Sequence, residues 1–524
     1  MFRAIISFCV ILLSHASSCR FAPSYKCIDF LENPAAVNEY IDNVMQWENK
    51  FASAGVGYNS KSGYTYDGFP LNYETGELYG TEHAFSAPSK ESIHLSVLAL
   101  AVNGDERALT FGGGKKKVLE LLQIKIDGYN AFNAKYPGFG CYTTWVGFNE
   151  TDGSIQPLPD WMDKLPGLDN GEWFWSIYAV VVALEKAGHV QLAGQYRLLM
   201  ECQRNNAKTM FYRGNGDVSA VVSISDIYAT PSSELYSHTD GSNYLDDPYE
   251  GELMTNLLYL FAPFDSEDER EQLWEKKRKM FQAVNYTIPA AESPSGAEIV
   301  VTVQKGFWFS AHEQWKLLLM PYLDDDLPMV QQVFRNAEVA RTMDAYRSGL
   351  PGLLASINDV TDGAEEIPDY ISPAGIAEIS FQEVFRRDVI TPYGAYGLML
   401  VDKPKGLCWY NNMLSGPRMQ GPYGSTEAIN VNGTEISPLT TWDSKITTVL
   451  AMLGGVGDLV KHGLELENAA GEGSYVAYDK FVDVITREHE RVFGVGELLG
   501  SSTPIQIPGE SVPSDKLSDW ELSC

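Results

Sequence analysis

Apolar residues recur at helical spacing in about a dozen stretches of the chain. They lie near 35–53, 90–103, 116–133, 171–188, 190–210, 252–262, 266–283, 309–322, 328–346, 376–400, 440–462 and 474–494, and Pro392 interrupts the 376–400 run. Strand-like alternation is confined to short pieces such as AEIVVTV (297–303). Two segments, WFWSIYAVVVAL (173–184) and VLALAV (97–102), are apolar on every face. A helix with no polar stripe has nothing to give to water, so both must be buried all round. The segments 266–283 and 328–346 carry charges over a wide face and are expected to border solvent. Buried helices alternating with half-exposed ones predict an all-α fold: a single (α/α)6 barrel, six inner and six outer helices, with minor β structure. A two-domain helical bundle is the alternative. Long connectors at 54–88, 134–170 and 401–439 would form a cleft at one barrel end.

The first residues break this pattern. Arg3 precedes the apolar AIISFCVILL (4–13), and small residues follow at Ala16-Ser17-Ser18. That order predicts a secretory signal peptide cleaved near Ser18, since the apolar run is far short of the ~20 residues of a membrane span. The expected organisation is a signal at 1–18, a barrel domain at 19–498 and an irregular tail at 499–524 containing Pro504, Pro508 and Pro513. Cys19, Cys27, Cys141, Cys202, Cys408 and Cys524 remain after cleavage, enough for up to three disulfides of open connectivity in a secreted, extracellular chain. Sequons at Asn149, Asn285 and Asn432 would place those loops at the surface and could carry N-glycans.

Charge narrows the partners. With 39 Lys+Arg against 69 Asp+Glu the formal charge is −30, which repels nucleic acid and anionic membrane alike. No nucleic-acid or membrane partner is expected. The 28 Tyr and 11 Trp supply rings for a sugar-binding cleft. Several motifs are only superficially suggestive. FGGGKKK (111–117) lacks the glycine and the Ser/Thr spacing of a phosphate loop, and His312-Glu313 meets Lys316 where a zinc protease needs a second His. No GxSxG elbow exists, and the eight histidines are scattered, so neither a metal site nor another cofactor is expected.

What remains is carboxylates in aromatic, Gly-punctuated segments. Asp246-Asp247-Pro248-Tyr249-Glu250-Gly251-Glu252 sets four acids ahead of an apolar helix. They could serve its dipole or rim a cleft. Asp443, just before ITTVLAML (446–453), could cap a helix or act chemically, and Glu427 lies in GPYGSTEA (421–428). Asp169 and Trp173 stand where the buried helix begins. His312, Glu313 and Gln314 follow an aromatic run, and Tyr393 and Tyr423 add rings. Rings stack on sugar faces while polar tips orient hydroxyls, which makes these residues candidate sugar contacts.

Here the chain resembles glycoside hydrolase family 162, the eukaryotic endo-β-1,2-glucanases, and more distantly family 144 and the hydrolase-like domains of cyclic β-1,2-glucan synthases. The matching stretches include SAPSKESIHLSVLALA (86–101), TTWVGFNETDGSIQPLPDWM (143–162), LDNGEWFW (168–175), EGELM (250–254), ITPYGAYGLML (390–400), YGSTEAIN (423–430) and TTWD (440–443). The resemblance implies an (α/α)6 barrel and endo-hydrolysis of linear β-1,2-glucan to sophoro-oligosaccharides with inversion. Inversion needs one protonated carboxyl at the leaving oxygen and one carboxylate activating water on the opposite face. The resemblance places the acid at Glu252, with Glu250 as alternative, and the base at Asp443, with Glu427 in reserve. A related glycosidase or transglycosylase acting on another β-glucan linkage, or a non-catalytic glycan-binding protein, are the other readings.

Overall fold

The computed structural model describes residues 18–149, 151–237, 244–245, 251–293, 296–306, 314–363, 367–371, 375–381, 385–471, 475–522 and 524. Among them the helices run α1 (Cys27–Glu32), α2 (Pro34–Phe51), α3 (Pro88–Asn103), α4 (Glu106–Phe111), α5 (Lys115–Lys135), α6 (Gly167–Lys186), α7 (Val190–Phe211) and α8 (Glu252–Phe261). They continue as α9 (Glu267–Arg278), α10 (Lys316–Leu319), α11 (Pro328–Arg347), α12 (Tyr396–Val401), α13 (Lys403–Leu414), α14 (Trp442–Leu453), α15 (Gly457–Leu466) and α16 (Ala477–Phe493). Short antiparallel sheets of two or three strands lie between them.

The all-round apolar segments lie where their composition requires. Every residue of α6 from Asp169 to Leu184 is buried, as are all of α8 and α3 from Pro88 to Ala101. α6 packs between α3 and α8, α14 packs on α3, and α12 packs on α14. α5, α7 and α9 lie against α3, α6 and α8 as a second layer, each burying one stripe and turning charges outward. Side chains continue the inner ring: Glu252 of α8 pairs with Lys316 of α10, and Trp315 Nε1 donates to Tyr393 Oη (3.2 Å) just ahead of α12. The chain is a helix-rich fold with minor sheets, of the α/α-barrel kind.

Five expectations about helical segments are corrected. The stretch 328–346 does not border solvent, because most of α11 is buried. A hairpin of Ala283–Ile288 and Ile299–Gln304 covers it, and Arg335 donates to the carbonyls of Ser501 and Thr503 in the C-terminal segment. The run 376–400 yields only a Val389–Ile390 strand, a 3-10 turn at Pro392–Ala395 and the start of α12. The connector 401–439 contains α13, whose Asp402 N-cap accepts from the Lys405 amide (3.2 Å) ahead of a buried LCWY run. The stretch 440–462 is two helices, because Gly454 and Gly455 adopt positive φ (97° and 78°). Of 309–322, residues 309–313 lie outside the described residues and only Lys316–Leu319 is α-helical among the rest.

All six remaining cysteines are paired, as Cys19–Cys524, Cys27–Cys408 and Cys141–Cys202. The C-terminal segment is irregular yet pinned. Trp520 is buried and its indole N–H donates to Tyr73 O (2.8 Å), and Asp519 meets both Arg20 and the Arg418 amide.

Candidate active site

The polar residues of interest gather at one kind of place, the first turn of a buried helix. Lys90 lies in the first turn of α3, Asp169 of α6, Glu252 of α8, Lys316 of α10 and Asp443 of α14, with Tyr393 just ahead of α12. Helix N-termini carry partial positive charge and unsatisfied N–H groups, so a ring of them favours anionic side chains and hydroxyl-rich ligands.

Asp443 does not cap α14. Thr441 holds the N-cap position, and the Asp443 side chain reaches across to α3, where Oδ2 accepts from Lys90 Nζ. Lys90 Nζ also contacts Asp67 Oδ1 (2.9 Å), and Asp67 Oδ2 lies 2.7 Å from His83 Nδ1. The start of α14 is tied to the same two residues through its backbone and ring: the Trp442 amide donates to Asp67 O (2.8 Å) and its indole to Lys90 O (3.0 Å). Burial opposes the charge on Lys90, but Asp443 and Asp67 outweigh it and hold the ammonium above its ordinary value. Asp67 is likewise penalised by burial, then overcompensated by Lys90 and His83, so its carboxyl lies below the usual range. Asp443 Oδ1 has no hydrogen-bond partner among the described residues. A buried acceptor left unmatched costs about 1–3 kcal/mol, a cost proteins tend to retain where a ligand will supply the bond.

Beside this array lies a row of half-buried rings. Lys90 Nζ sits over the Phe85 ring (5.6 Å), Phe85 stacks on Trp145 (5.7 Å) and Trp145 on Trp161 (4.9 Å). Asp169 Oδ2 accepts from Trp145 Nε1 (2.8 Å) and so fixes the row. Tyr370 keeps 60 % of its surface exposed; desolvation by its surroundings, then Asp443 and Glu427, push its hydroxyl well up.

Glu252 has a different environment. It is fully buried, with Oε1 accepting from Lys316 Nζ (2.7 Å) and Oε2 from Tyr322 Oη (2.6 Å). Burial and Glu252 together push the Tyr322 hydroxyl far above its ordinary value, so it stays a donor, and Asn256 donates to it in turn (2.8 Å). Both carboxylate oxygens are thus held by side chains of the interior, one by an ammonium and one by a hydroxyl. Glu250 lies outside the described residues. Glu427 is buried, and its Oε2 accepts from Thr441 and from Ser444 Oγ (2.7 Å), the residues flanking Asp443. Burial lifts its carboxyl to about 7, with those hydrogen bonds opposing and Asp67 adding.

The expected sugar contacts divide. Trp173 is 1 % exposed and packs edge-on against Tyr129, and Tyr393 is 2 % exposed and stacked on Tyr396 (5.3 Å); both are core residues. Asp169 acts through Trp145. Gln314 is half-buried and lies over Gly397, where an added Cβ would approach its Oε1 to 2.1 Å. Tyr423 is half-buried at a hairpin tip between Gly421 and Gly424, with Glu77 acting on its hydroxyl. His312 and Glu313 lie outside the described residues. Lys90, Asp67, His83, Phe85, Trp145, Trp161 and Lys316 were not singled out from sequence as site residues. Trp145 and Trp161 do share the one segment TTWVGFNETDGSIQPLPDWM, the signal by which the ring row could have been found. No group of three or more His, Cys, Asp or Glu is placed to hold a metal ion among the described residues.

Carboxylates at the N-termini of buried helices, beside a row of rings, define a glycoside hydrolase of the α/α-barrel kind. The sequence profile of the family 162 endo-β-1,2-glucanases matches residues 64–524, and the chain belongs to that family. The endo-β-1,2-glucanase of Talaromyces funiculosus in complex with sophorose is 39% identical, superposes with a TM-score of 0.87, and the alignment covers 96% of this chain and 99% of that one. A mutant of the same enzyme with one glutamate replaced by glutamine, in complex with β-1,2-glucan, gives the same values. The endo-β-1,2-glucanase of Chitinophaga pinensis is 12% identical, with TM-score 0.55 and coverage of 89% of this chain and 98% of that one, a likeness of fold alone. No curated protein matches the chain in sequence.

Proposed function

We propose that this protein is a secreted endo-acting hydrolase that cuts linear β-1,2-glucan into sophoro-oligosaccharides with inversion, on a barrel of six inner helices (α3, α6, α8, α10, α12 and α14) and six outer ones. Alternation along the chain supports the count once α1, α4, α15 and α16 are set aside, with α2, α5, α7, α9, α11 and α13 supplying the outer layer. The observation that carries the reading is Asp443, with one oxygen anchored on Lys90 and the other without a partner among the described residues. A base in an inverting enzyme needs that geometry: a fixed carboxylate with an open lone pair toward water on the face opposite the leaving group. Glu252 is occupied by Lys316 and Tyr322, so the acid role passes to Glu250, the other glutamate of the EGE segment. The leaving sugar then takes its proton from that carboxyl as the base-activated water adds at the anomeric carbon.

The Talaromyces enzyme is bound to sophorose and its mutant to β-1,2-glucan, which supports the same substrate here. Three disulfides support an extracellular setting, and no helix among the described residues is long and apolar enough to cross a membrane. Asn285 and Asn432 are exposed and Asn149 half-buried, positions open to glycosylation. Incubation with linear β-1,2-glucan, β-1,3-glucan and cellulose, with product sizing, is expected to give sophoro-oligosaccharides from the first alone. Proton NMR in the first minutes is expected to show α anomers, because a single displacement inverts the β linkage. Initial β anomers would mean a covalent intermediate and another pair of carboxylates.

A further inference from the structure

We propose that Lys90 and Asp67 are positioning residues for the hydrolytic step. Lys90 fixes one oxygen of Asp443 so that the other meets the reacting water, and Asp67 divides the lysine's charge so that Asp443 keeps its capacity to take a proton. The inference rests on Asp443 being the base. Lys90 cannot turn to the second oxygen, because Asp67 holds its ammonium at 2.9 Å and is itself held at 2.7 Å from His83. The backbone bonds from Trp442 to Asp67 and Lys90 fix both partners against the start of α14. A lone ammonium in contact with the base would neutralise it. One ammonium shared by two carboxylates leaves the trio with a net negative charge, available to an incoming proton. The other groups facing Asp443 are Glu427 behind Thr441 and Ser444, and the hydroxyls of Tyr370 and Tyr393.

The test compares Lys90→Gln, Lys90→Arg, Asp67→Asn and Asp443→Asn in steady-state hydrolysis of linear β-1,2-glucan across pH, with a thermal melt of each. Lys90→Gln is expected to lower kcat roughly 10–10²-fold at nearly constant KM, through misplacement of the base. It should move the acidic limb of kcat/KM to higher pH, since the carboxylate loses its cation. Asp67→Asn is expected to move that limb the other way, because the whole ammonium charge then falls on Asp443, and to lower the plateau. Lys90→Arg should recover part of the loss. Folded variants whose limbs stay put, or shift in the same direction, would overturn the proposal and leave the trio as packing. Should Lys90→Gln fail to fold, Asp67→Asn and Lys90→Arg decide by the same two readouts. Normal turnover in Asp443→Asn would remove the base assignment itself. An inert Asp443→Asn beside a Lys90→Gln of parental rate would remove only the positioning.

Discussion

At the residue scale, the two glutamates of the EGE segment are given different roles, and Glu252 is the one whose partners are described. Removing the Glu252 carboxylate takes away one side of its buried ion pair with Lys316, and breaking one side of such a pair costs about 3–5 kcal/mol. Glu252→Ala is therefore expected to lower the melting temperature strongly and to lose activity through the fold. Glu250→Gln is expected to melt like the parent while turnover falls by ~10²–10⁴-fold, the range for loss of a general acid. A stable Glu252→Ala, or a fully active Glu250→Gln, would reverse the assignment. The sequence singles out Asp443 through the TTWD stretch by which the chain resembles family 162, since its place ahead of an apolar run equally suits a helix cap. Lys90 had no such signal. It is one lysine in an apolar helix, and its meaning comes from Asp443, 353 residues away, which only the fold brings near.

At the element scale, all-round apolarity located α3 and α6 correctly, because it leaves a helix only one place to go. Charge on a face was a poorer guide. α11 carries Arg335, Arg341 and Arg347, yet these charges meet partners rather than water: Arg335 the Ser501 carbonyl, Arg341 both Glu338 of its own helix and the Gly394 carbonyl, and Arg347 the Tyr286 hydroxyl. α13 was hidden inside a connector, since its signal is local: an Asp cap, Pro404 in the first turn and a short buried run. The break between α14 and α15 depends on Gly455, where an added Cβ would lie 2.6 Å from Leu318 O. That carbonyl also accepts from the Val456 amide (2.7 Å), so the turn seats α10, and with it Lys316. Gly455→Ala is expected to cost at least about 1–2 kcal/mol from its left-handed backbone alone, measured by urea denaturation. A neutral result would mean that the turn can give up its left-handed conformation at this position without consequence.

At the scale of the whole molecule, two buried groups set opposing pH responses. Burial drives His489 down to about 4 from 6.5, with Glu252 opposing and Lys316 adding, while Glu427 rises to about 7 from 4.5. Between those ordinary values, 4.5 and 6.5, unfolding takes up a proton at His489 and releases one at Glu427. The first makes stability rise with pH and the second makes it fall, each by about 1.4 kcal/mol per unit. Glu427→Gln removes only the second. Relative to the parent, its stability is expected to climb by about that slope across the window, in denaturation curves at closely spaced pH values. Parallel curves would mean that Glu427 is not protonated in the folded state.

The even cysteine count announced bridges, but not that one of them joins Cys19 to Cys524 at a separation of 505. That bond makes nearly the whole described chain a covalent ring, with Cys27–Cys408 forming a second ring inside it. Tension applied between Cys19 and Cys524 passes straight through sulfur and never reaches a helix. A single protease cut in a loop between the bridges leaves both pieces tethered, free to close again around the same cleft.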